Sequence, residues 1–531
     1  MSLKQVSGGS EVDERLAALI TNSNAIQAVS SAIEGTIGPK GLDIMLVDRF
    51  GEVTITNDGV TILQQMDVNH PAAKMLINIA KAQQEEIGDG TTTATIMSGS
   101  LVSEGVSQVV RGVPVARVIE GIKKGINTAC RVLKQKSIKI NGVKDVVLEK
   151  IAYIAGREHK DIAQLVVEAA KLIGEEKLLE SGFKLSDTVS ALEGAENEVF
   201  MGIVLDKQPL NKQMPKEIND AKILIIDDAL EPEGIGEEAM GTETGFKRYL
   251  ELKEEFKQNL KKLVQLGVNV ILVDRGVSDD AEEILTDAGV MVLQRVLSKD
   301  LEKVAEHTGA RIIKRTGLKK PVEEMKNYIG KSDRVYEDEK LKQTRILGGK
   351  GKPMATILVG AATEEVVGER ERIAKDAAAS LQAAVRGGVV PGGGSIEIAL
   401  ALEVEKERKT TKGMAAYGMD CVISCLKRPL AQIVSNAGFN PLEKVEDVIS
   451  AQIENNIDSI GINCDTGEIA DMKELGVFDP TLVKLHAIKA AGEIAEAILR
   501  IDTIIKKRDD NKSPVKSGSH ELRETIPEID F

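Results

Sequence analysis

The chain contains 531 residues, which is enough for about three or four domains. Its net charge of −14 at pH 7 argues against a nucleic-acid partner, because a phosphate backbone requires a basic face. Aromatic residues make up only 2% of the chain and tryptophan is absent, which disfavours a base-stacking surface.

Other features of the sequence predict where the protein works. No apolar run approaches the ~18 residues that a membrane-spanning helix needs, so no membrane partner is expected. Residues 1–14 lack the apolar core of a signal peptide, which argues against secretion. The four cysteines are scattered and form no disulfide framework, as is usual in a reducing compartment. A cytoplasmic location is therefore expected.

The first part of the chain is predicted to be mainly helical. Apolar residues at helical spacing predict helices over 16–34 and 72–86, and a further core-facing helix begins just after Pro114. Strand-like runs at 44–47 and 53–56 flank a turn, and they predict a β-hairpin between the first two helices.

The middle of the chain has a different pattern. Short β-type runs at 223–226, 268–273, 291–293 and 312–313 alternate with helical stretches. This alternation predicts an α/β domain over about 205–350.

An insertion from Glu231 to Leu266 interrupts the α/β pattern. It opens with an acidic, glycine-rich loop that contains Gly236 and Gly241, and it continues as a long charged helix with one apolar stripe. The stripe consists of Tyr249, Leu252, Phe256, Leu260 and Leu263.

Helical spacing returns after Gly368, and apolar residues from Ala487 to Ile505 predict one long late helix. Beyond Lys507 the chain is polar and is predicted to be a flexible tail. Helical ends that flank an α/β insert predict a discontinuous, multidomain protein with α and α/β parts.

Four glycine-rich elements are candidates for chemistry. They are Thr36-Ile-Gly-Pro-Lys-Gly41, Thr56-Asn-Asp-Gly59, Gly88-Asp-Gly-Thr-Thr-Thr-Ala94 and Pro391-Gly-Gly-Gly-Ser395. The third is the most informative, because its glycines let the backbone approach an anion and its threonines begin a helix whose free N–H groups bind phosphate. Asp89 in that loop would repel phosphate unless a divalent cation such as Mg²⁺ lay between them.

Each motif also has a purely structural interpretation. Asn-Asp-Gly is a common turn, and a triple glycine before a helix is often a tight connection. No Gly-x-x-x-x-Gly-Lys-[Ser/Thr] loop is present, so an ordinary P-loop nucleotidase is not indicated. Cys421 and Cys425 are interpreted as buried small side chains, because no further Cys or His lies at a metal-binding spacing. Asp376 by itself resembles a solvated helix charge.

The four motifs occur in the order typical of chaperonins, and they are followed by Glu474-Leu-Gly-Val-Phe-Asp-Pro-Thr-Leu-Val-Lys484. The chain resembles that family from about residue 12 to 506. The segment Met214-Pro-Lys-Glu-Ile-Asn-Asp-Ala-Lys-Ile resembles the start of the apical domain in the archaeal-type branch, which is the group II or thermosome-like branch.

The resemblance implies a chaperonin architecture with three domains. A helical equatorial ATPase domain would comprise residues 1–137 and 388–531, and a small intermediate domain would comprise 138–204 and 351–387. The α/β apical domain would span 205–350, with a helical lid protrusion at about 231–266. The apolar stripe of the protrusion is interpreted as core packing within the protrusion, with a surface for unfolded chains as the alternative. Ile284 and Leu285 are a second candidate for client contact.

The resemblance also implies roles for individual residues. Asp58 and Asp376 would be the catalytic carboxylates that position and activate the attacking water, and Asp89 would bind Mg²⁺. The residues that would contact ATP are Thr36, Gly38, Pro39, Gly59, Gly90, Thr91, Thr92, Thr93, Gly393, Asp479 and Lys484. Because Asp376 would belong to the intermediate domain, hydrolysis would be coupled to a domain motion.

The leading hypothesis is therefore an ATP-hydrolysing chaperonin that captures and encloses non-native proteins. We expect a homo-oligomer of two stacked rings, with about eight subunits each, that needs no separate cap. One alternative is a nucleotide-switched binding scaffold without general folding activity. Another is a metabolic enzyme that acts on a small phosphorylated substrate.

Some segments depart from the group II pattern. The stretch Ala155-Gly-Arg-Glu-His-Lys160 is shorter than the group II loop that carries a phosphate-sensing lysine, so either Arg157 or Lys160 would take that role. The spacing from Asp376 to Gly393 and the segment 429–438 resemble group I, and Cys464 follows Asn463 where group II members commonly have glycine. These mixed features are typical of a bacterial variant of the archaeal type.

Overall fold

The computed structural model of the protein describes residues 10–234 and 242–503. Gly236 and Gly241 of the acidic loop, and the predicted tail beyond Lys507, lie outside the described residues. Within the described residues, the two ends of the chain are helical and the middle forms a large mixed sheet with helices.

From residue 10 onward, the N-terminal part contains five α-helices, a short 3-10 helix (Glu34–Thr36) and one hairpin. The helices are α1 (Ser10–Ile33), α2 (Gly59–Gln65), α3 (Pro71–Glu86), α4 (Thr91–Val110) and α5 (Val115–Lys136). The hairpin strands are β1 (Ile44–Val47) and β2 (Val53–Thr56), which pair in antiparallel register. The predicted hairpin is confirmed at both strands.

The next part of the chain contains three helices and the first two strands of the large sheet. The helices are α6 (Val147–Ala155), α7 (Lys160–Ile173) and α8 (Glu175–Leu179). The strands are β3 (Val189–Glu193) and β4 (Glu198–Leu205).

The described residues of the α/β part contribute six more strands and four α-helices. The strands are β5 (Glu217–Ile226), β6 (Val270–Val273), β7 (Met291–Leu293), β8 (Gly330–Asp338), β9 (Gln343–Gly349) and β10 (Ala355–Ala361). The helices are α9 (Glu243–Gln265), α10 (Asp279–Asp287), α11 (Ser298–Thr308) and α12 (Val322–Met325). The eight strands lie in the order β3-β10-β4-β9-β8-β5-β6-β7, with parallel pairs at both ends of the sheet.

The chain then returns to helix. The remaining helices are α13 (Glu364–Gly387), α14 (Ser395–Thr410), α15 (Ala415–Asn436), α16 (Pro441–Asn455) and α17 (Thr481–Leu499). Short strands complete two small sheets and are β11 (Val389–Pro391), β12 (Ile460–Ile462), β13 (Ile469–Asp471) and β14 (Phe478–Pro480).

The hydrophobic cores show how the two ends of the chain combine. One core contains buried residues from both ends, such as Leu101 of α4, Leu426 of α15 and Ile494 of α17. A second core joins α6 and α7 to strand β10 and helix α13. Two further cores lie on the two faces of the α/β sheet. Helix α13 therefore connects the α/β part to the helical part.

Three predictions from the sequence were wrong in detail. Residues 312–313 form no strand, because Ile313 makes only an isolated bridge to Ile226. The last helix ends at Leu499 and does not include Ile501, because Asp502 and Thr503 beyond it have low helix propensity, and Ile505 lies outside the described residues. Leu285 of α10 is fully buried in the α/β core, so it is not available for client contact.

Most of the apolar stripe of α9 is buried, but it packs against the α/β core and not only within the protrusion, and Tyr249 is half-buried. Leu252, Phe256, Leu260 and Leu263 are all buried, and the last three belong to the α/β core. Two other apolar residues near the start of α9, Phe246 and Leu250, are about half exposed, at 52% and 50%.

Candidate active site

The starts of α2 and α4 meet at Asp58. This residue caps α2, because its carboxylate accepts hydrogen bonds from the backbone N–H groups of Val60 (3.4 Å) and Thr61 (3.0 Å). The Thr91 hydroxyl donates to Asp58 Oδ1 at 3.4 Å. Gly59 is required at this junction, because a Cβ atom there would lie 2.6 Å from the Thr92 hydroxyl oxygen. The structure thus brings together four of the predicted residues.

The Gly88-Asp-Gly loop places Asp89 at the N-terminus of α4. Gly90 caps that helix in the left-handed region, with φ +79°, and its N–H donates to Asp89 Oδ1 at 2.5 Å. The Ser380 hydroxyl of α13 donates to Asp89 Oδ2. Burial raises the pKa of the Asp89 carboxyl, although both hydrogen bonds oppose that rise. Asp89 is therefore held on both oxygens.

Asp376 projects from α13 toward the same region. Burial raises the pKa of the Asp376 carboxyl well above its usual range, and the negative charges of Asp58 and Asp89 raise it further. A nearby guanidinium group, that of Arg157, opposes the shift. Three carboxylates from three separate segments therefore share one electrostatic environment with excess negative charge.

Asp479 and Lys484 form part of a buried ion-pair network beside this cluster. Lys484 Nζ lies 2.8 Å from Asp479 Oδ2 and 2.6 Å from an oxygen of Glu397, which is fully buried. Burial lowers the pKa of Lys484, but the two carboxylates outweigh that effect and raise it. Asp479 and Lys484 also shift the pKa of Asp89 in opposite directions, so they lie close to it.

Four of the predicted nucleotide contacts lie outside the carboxylate cluster. Thr36 is buried and donates to the Ile33 carbonyl at 2.9 Å, whereas Gly38 and Pro39 are exposed. Gly393 has φ +63° and packs beside Met472. Within residues 10–234 and 242–503, no hydrogen bond or ion pair joins these four residues to the three carboxylates. Thr93 lies in the first turn of α4 and is half-buried.

The short loop before α7 distinguishes Arg157 from Lys160. Arg157 and Glu158 both adopt positive φ, at 51° and 64°, which is unusual for residues other than glycine. Arg157 lies 3.8 Å from Glu369 on α13 and is the cation that acts on Asp376. Lys160 is exposed and has no ion pair within the described part of the chain. Of the two candidates, Arg157 is the one that faces the carboxylates.

The donor set fits a magnesium ion held partly by a ligand. Among residues 10–234 and 242–503, no group of three His, Cys, Asp or Glu side chains has the geometry to hold a metal ion alone. Mg²⁺ in nucleotide sites is bound by one or two carboxylates and by phosphate oxygens, so Asp89 with a phosphate is a suitable arrangement. The buried thiols of Cys421 and Cys425 instead donate to backbone carbonyls, and burial raises the pKa of Cys421 to about 12.

Sequence reasoning missed three residues of the site. Glu397 stands in the apolar run Ser395-Ile-Glu-Ile-Ala-Leu, where a lone carboxylate was a detectable signal. Ser380 lies one helical turn after Asp376 on the same face of α13. Gln83 is fully buried near the end of α3, and nothing in its sequence context marks it.

Comparisons with known proteins agree on one family. The model of the TCP-1/cpn60 chaperonin family matches residues 29–509. The thermosome subunit beta of Sulfolobus acidocaldarius is 33% identical over 530 residues, which cover 96% of this chain and 94% of that protein. The thermosome subunit of Pyrococcus abyssi is 35% identical over 518 residues, which cover 94% of this chain and 93% of that protein.

A solved structure supports the same assignment. The crystal structure of a group III chaperonin in the open state is 46% identical in sequence and superposes with a TM-score of 0.85. The match covers 93% of this chain and all of that one. None of the helices in the described residues is long and apolar enough to cross a membrane.

The fold and the site together define a multidomain, nucleotide-dependent chaperone, and the chain belongs to the TCP-1/cpn60 chaperonin family. Within that family it is a thermosome-like, group II type subunit. Its activity is ATP hydrolysis coupled to protein folding. The bacterial variant suggested by the mixed motifs stays a prediction.

Proposed function

We propose that the cluster of Asp58, Asp89 and Asp376 hydrolyses ATP and that the position of α13 controls this step. The observation that carries the proposal is that Asp376 comes from the helix between the α/β part and the helical part. It nevertheless shares the electrostatic environment of Asp58 and Asp89. Any movement of α13 would withdraw Asp376, so hydrolysis and domain position are linked.

The proposed roles follow from charge and backbone geometry. The N-terminus of α4, with Gly90, Thr91, Thr92 and Thr93, offers N–H and hydroxyl donors to phosphate oxygens. Asp89 would hold Mg²⁺, which supplies positive charge against the phosphates when bound. Asp58 and Asp376 would orient and deprotonate water. A raised pKa makes the ionised Asp376 a better proton acceptor.

The remaining nucleotide contacts are proposed for the loops around the cluster. Thr36, Gly38, Pro39 and Gly59 come from the first two glycine-rich motifs, and Gly393 comes from the fourth. Asp479 and Lys484 would complete the rim, and Arg157 would take the phosphate-sensing role. The contact between Lys40 and Asp465, 2.6 Å apart, supports this arrangement because it joins the first loop to the β12–β13 hairpin.

The proposed domain division follows the hydrophobic cores. The equatorial, intermediate and apical domains would correspond to the helical core, the α13 core and the two cores of the sheet. The lid would be the α9 segment, whose exposed Phe246 and Leu250 offer apolar contacts. Unfolded clients expose apolar side chains, which these residues could bind during enclosure.

Assembly is proposed to depend on the β1–β2 hairpin. Its residues Met45, Val47, Phe50, Val53 and Ile55 are 51–78% exposed, although all are apolar. The hairpin is a separate two-stranded sheet whose outer edges have no partner strand within the described residues. Such a surface needs a partner, and a second copy would supply it. A cytoplasmic homo-oligomer of two rings, with about eight subunits each and no separate cap, fits this proposal.

Replacement of Asp376 by alanine tests the proposed chemistry. We expect Asp376→Ala to lower ATP turnover by about 10²–10⁴-fold while ATP binding persists. Glu371→Ala on the same helix is the matched control, because among the described residues Glu371 forms an ion pair only with Lys375. Normal turnover in Asp376→Ala would remove that residue from the catalytic role. Normal turnover in the wild type without refolding of a denatured client would favour the nucleotide-switched scaffold.

A further inference from the structure

A buried polar chain connects His486 on α17 to the Gly88-Asp-Gly loop. His486 Nδ1 lies 2.6 Å from Gln83 Oε1. On its other side, Gln83 Nε2 donates to the backbone carbonyl of Asp89 at 2.7 Å and to that of Val483 at 3.3 Å. Gln83 is fully buried and His486 is half-buried, so water has little access to these hydrogen bonds.

The donors and acceptors of these hydrogen bonds can be assigned in only one consistent way. Two backbone carbonyls can only accept, so the amide NH₂ of Gln83 must face them and its Oε1 must face the histidine. Oε1 also only accepts, so His486 must carry a proton on Nδ1. Burial lowers the pKa of His486, Lys489 adds to this effect, and the charges of Glu86 and Glu493 oppose it. The ring donates to Gln83 whether it is neutral or protonated.

Gln83 holds the Gly88-Asp-Gly loop in place through both its backbone and its side chain. Its own backbone carbonyl accepts the N–H groups of Ile87 and Gly88, which ends α3 directly before the loop. A Cβ atom on Gly90 would lie 2.5 Å from Val483 and 3.2 Å from Gln83 Nε2. The loop therefore rests against Gln83 and Val483, and a reoriented Gln83 amide would leave the Asp89 carbonyl without a donor.

We propose that His486 is a positioning residue that fixes the Gln83 amide, and through it sets the affinity of the Gly88-Asp-Gly loop for nucleotide. This inference rests on the proposed function, because it assumes that the loop binds the phosphates. Within the described residues, His486 makes no hydrogen bond or ion pair to the loop or to the three carboxylates. Its loss should therefore weaken binding of nucleotide and leave the hydrolysis step, which depends on Asp58 and Asp376, nearly unchanged.

Two substitutions of similar size separate the hydrogen bond from packing. In His486→Asn, the side-chain nitrogen occupies nearly the position of Nδ1 and can donate to Gln83. In His486→Leu, a branched side chain of similar shape has no donor. Both variants are made in the full chain. The dissociation constant for ADP with Mg²⁺ is measured by calorimetry, and KM and kcat for ATP by phosphate release.

We expect His486→Leu to weaken ADP binding and raise KM by about tenfold, the usual effect of leaving one buried polar group unpaired. The kcat should stay within about twofold of wild type, and His486→Asn should bind ADP within about threefold of wild type. Wild-type affinity in His486→Leu would overturn the inference. An equal loss in the Asn variant would also overturn it, because packing alone would then explain the effect.

A further variant keeps the test decisive if His486→Leu does not fold. His486→Ala leaves space at a half-buried position, so added imidazole can restore the missing donor. Recovery of ADP affinity with imidazole would support the inference, and no recovery would contradict it. A wild-type protein that bound no ADP would overturn the proposed function, whereas wild-type binding with an unaffected Leu variant would overturn only this inference.

Discussion

The Ser380 hydroxyl donates a hydrogen bond to Oδ2 of Asp89, which joins α13 to the loop before α4. Ser380 is fully buried, and Ala379 beside it packs against Gly88. The helix that carries Asp376 is thus fastened directly to the proposed metal-binding carboxylate. A hydrogen bond to an ionised acceptor is among the stronger ones in proteins, so this contact favours the docked position of α13.

Replacement of Ser380 tests whether this contact supports catalysis. We expect Ser380→Ala to lower kcat by about tenfold with little change in KM, because fewer molecules hold α13 against the loop. Steady-state ATP hydrolysis checks this. Ser332→Ala is the control, since Ser332 is also buried but its hydroxyl has no hydrogen-bond partner in the described structure. An unchanged kcat in Ser380→Ala would mean that the hydrogen bond does not hold α13.

Gly88 lets α13 pack closely against the loop before α4. Gly51 has a similar backbone conformation without such a contact, so it is the matched control. A Cβ atom on Gly88 would lie 2.6 Å from the Ala379 Cβ, whereas Gly51 has nothing within 4 Å and a similar φ. Gly51→Ala should therefore lower the free energy of unfolding by only about 1–2 kcal/mol, the cost of an alanine in the left-handed conformation. Gly88→Ala should in addition displace α13 and abolish ATP turnover. ATP turnover is measured by phosphate release. Comparable turnover in the two variants would mean that close packing of α13 against Gly88 is not needed for hydrolysis.

Two neutral substitutions test whether Arg157 or Lys160 takes the phosphate-sensing role. We expect Arg157→Gln to lower kcat by about 10²-fold, and Lys160→Gln to leave it nearly unchanged. Arg157 lowers the pKa of Asp376, so its removal should also move the acidic limb of the kcat–pH profile to higher pH. A profile that moved to lower pH, or a larger effect from Lys160→Gln, would reverse the assignment.

The hydrogen bonds of His307 near the end of the α/β part are predicted to be sensitive to acid. Its Nε2 accepts from the Gly349 N–H at 3.1 Å, and its Nδ1 faces the Lys352 carbonyl at 3.3 Å. Burial lowers the pKa of His307, so the neutral ring is favoured in the folded state. Its contribution to stability is fully present above the unfolded pKa of about 6.5, and it is lost as pH falls below that value.

Hydrogen exchange of the Gly349 amide measures this effect. We expect its protection to fall between about pH 6.5 and 5, and His307→Gln should show a flatter dependence after correction for intrinsic exchange. His70→Gln, at the start of α3 in the helical part, serves as the control. The same pH dependence in wild type and His307→Gln would assign the change to another group.

Assembly through the hairpin is tested by a charge pair that preserves the hairpin itself. Met45 and Ile55 lie directly opposite each other, so Met45→Lys with Ile55→Glu keeps a favourable cross-strand pair. The exposed surface becomes charged, and we expect the particle mass to fall toward that of a monomer. Analytical ultracentrifugation measures it, with Leu297→Glu, at a residue 69% exposed in the α/β part, as control. An undiminished mass would place the subunit contact elsewhere.

Local patterns predicted many elements correctly from the sequence. The hairpin strands were predicted at 44–47 and 53–56, where they occur, because side-chain alternation and turn residues act over a few positions. The start of α4 at Thr91 followed from the glycines before it. The end of α17 was missed, because the apolar spacing continues past Leu499 although the helix does not.

The sequence by itself determined the family resemblance, the alternation of helical and α/β parts, and the types of residue that the site requires. Only the tertiary structure decided which of these side chains meet. Ser380 and Asp89 are 291 positions apart, and Gln83 and His486 are 403 apart. Periodicity describes one element at a time, whereas these contacts depend on how distant helices pack, and the burial that shifts the pKa of Asp376 arises only from that packing.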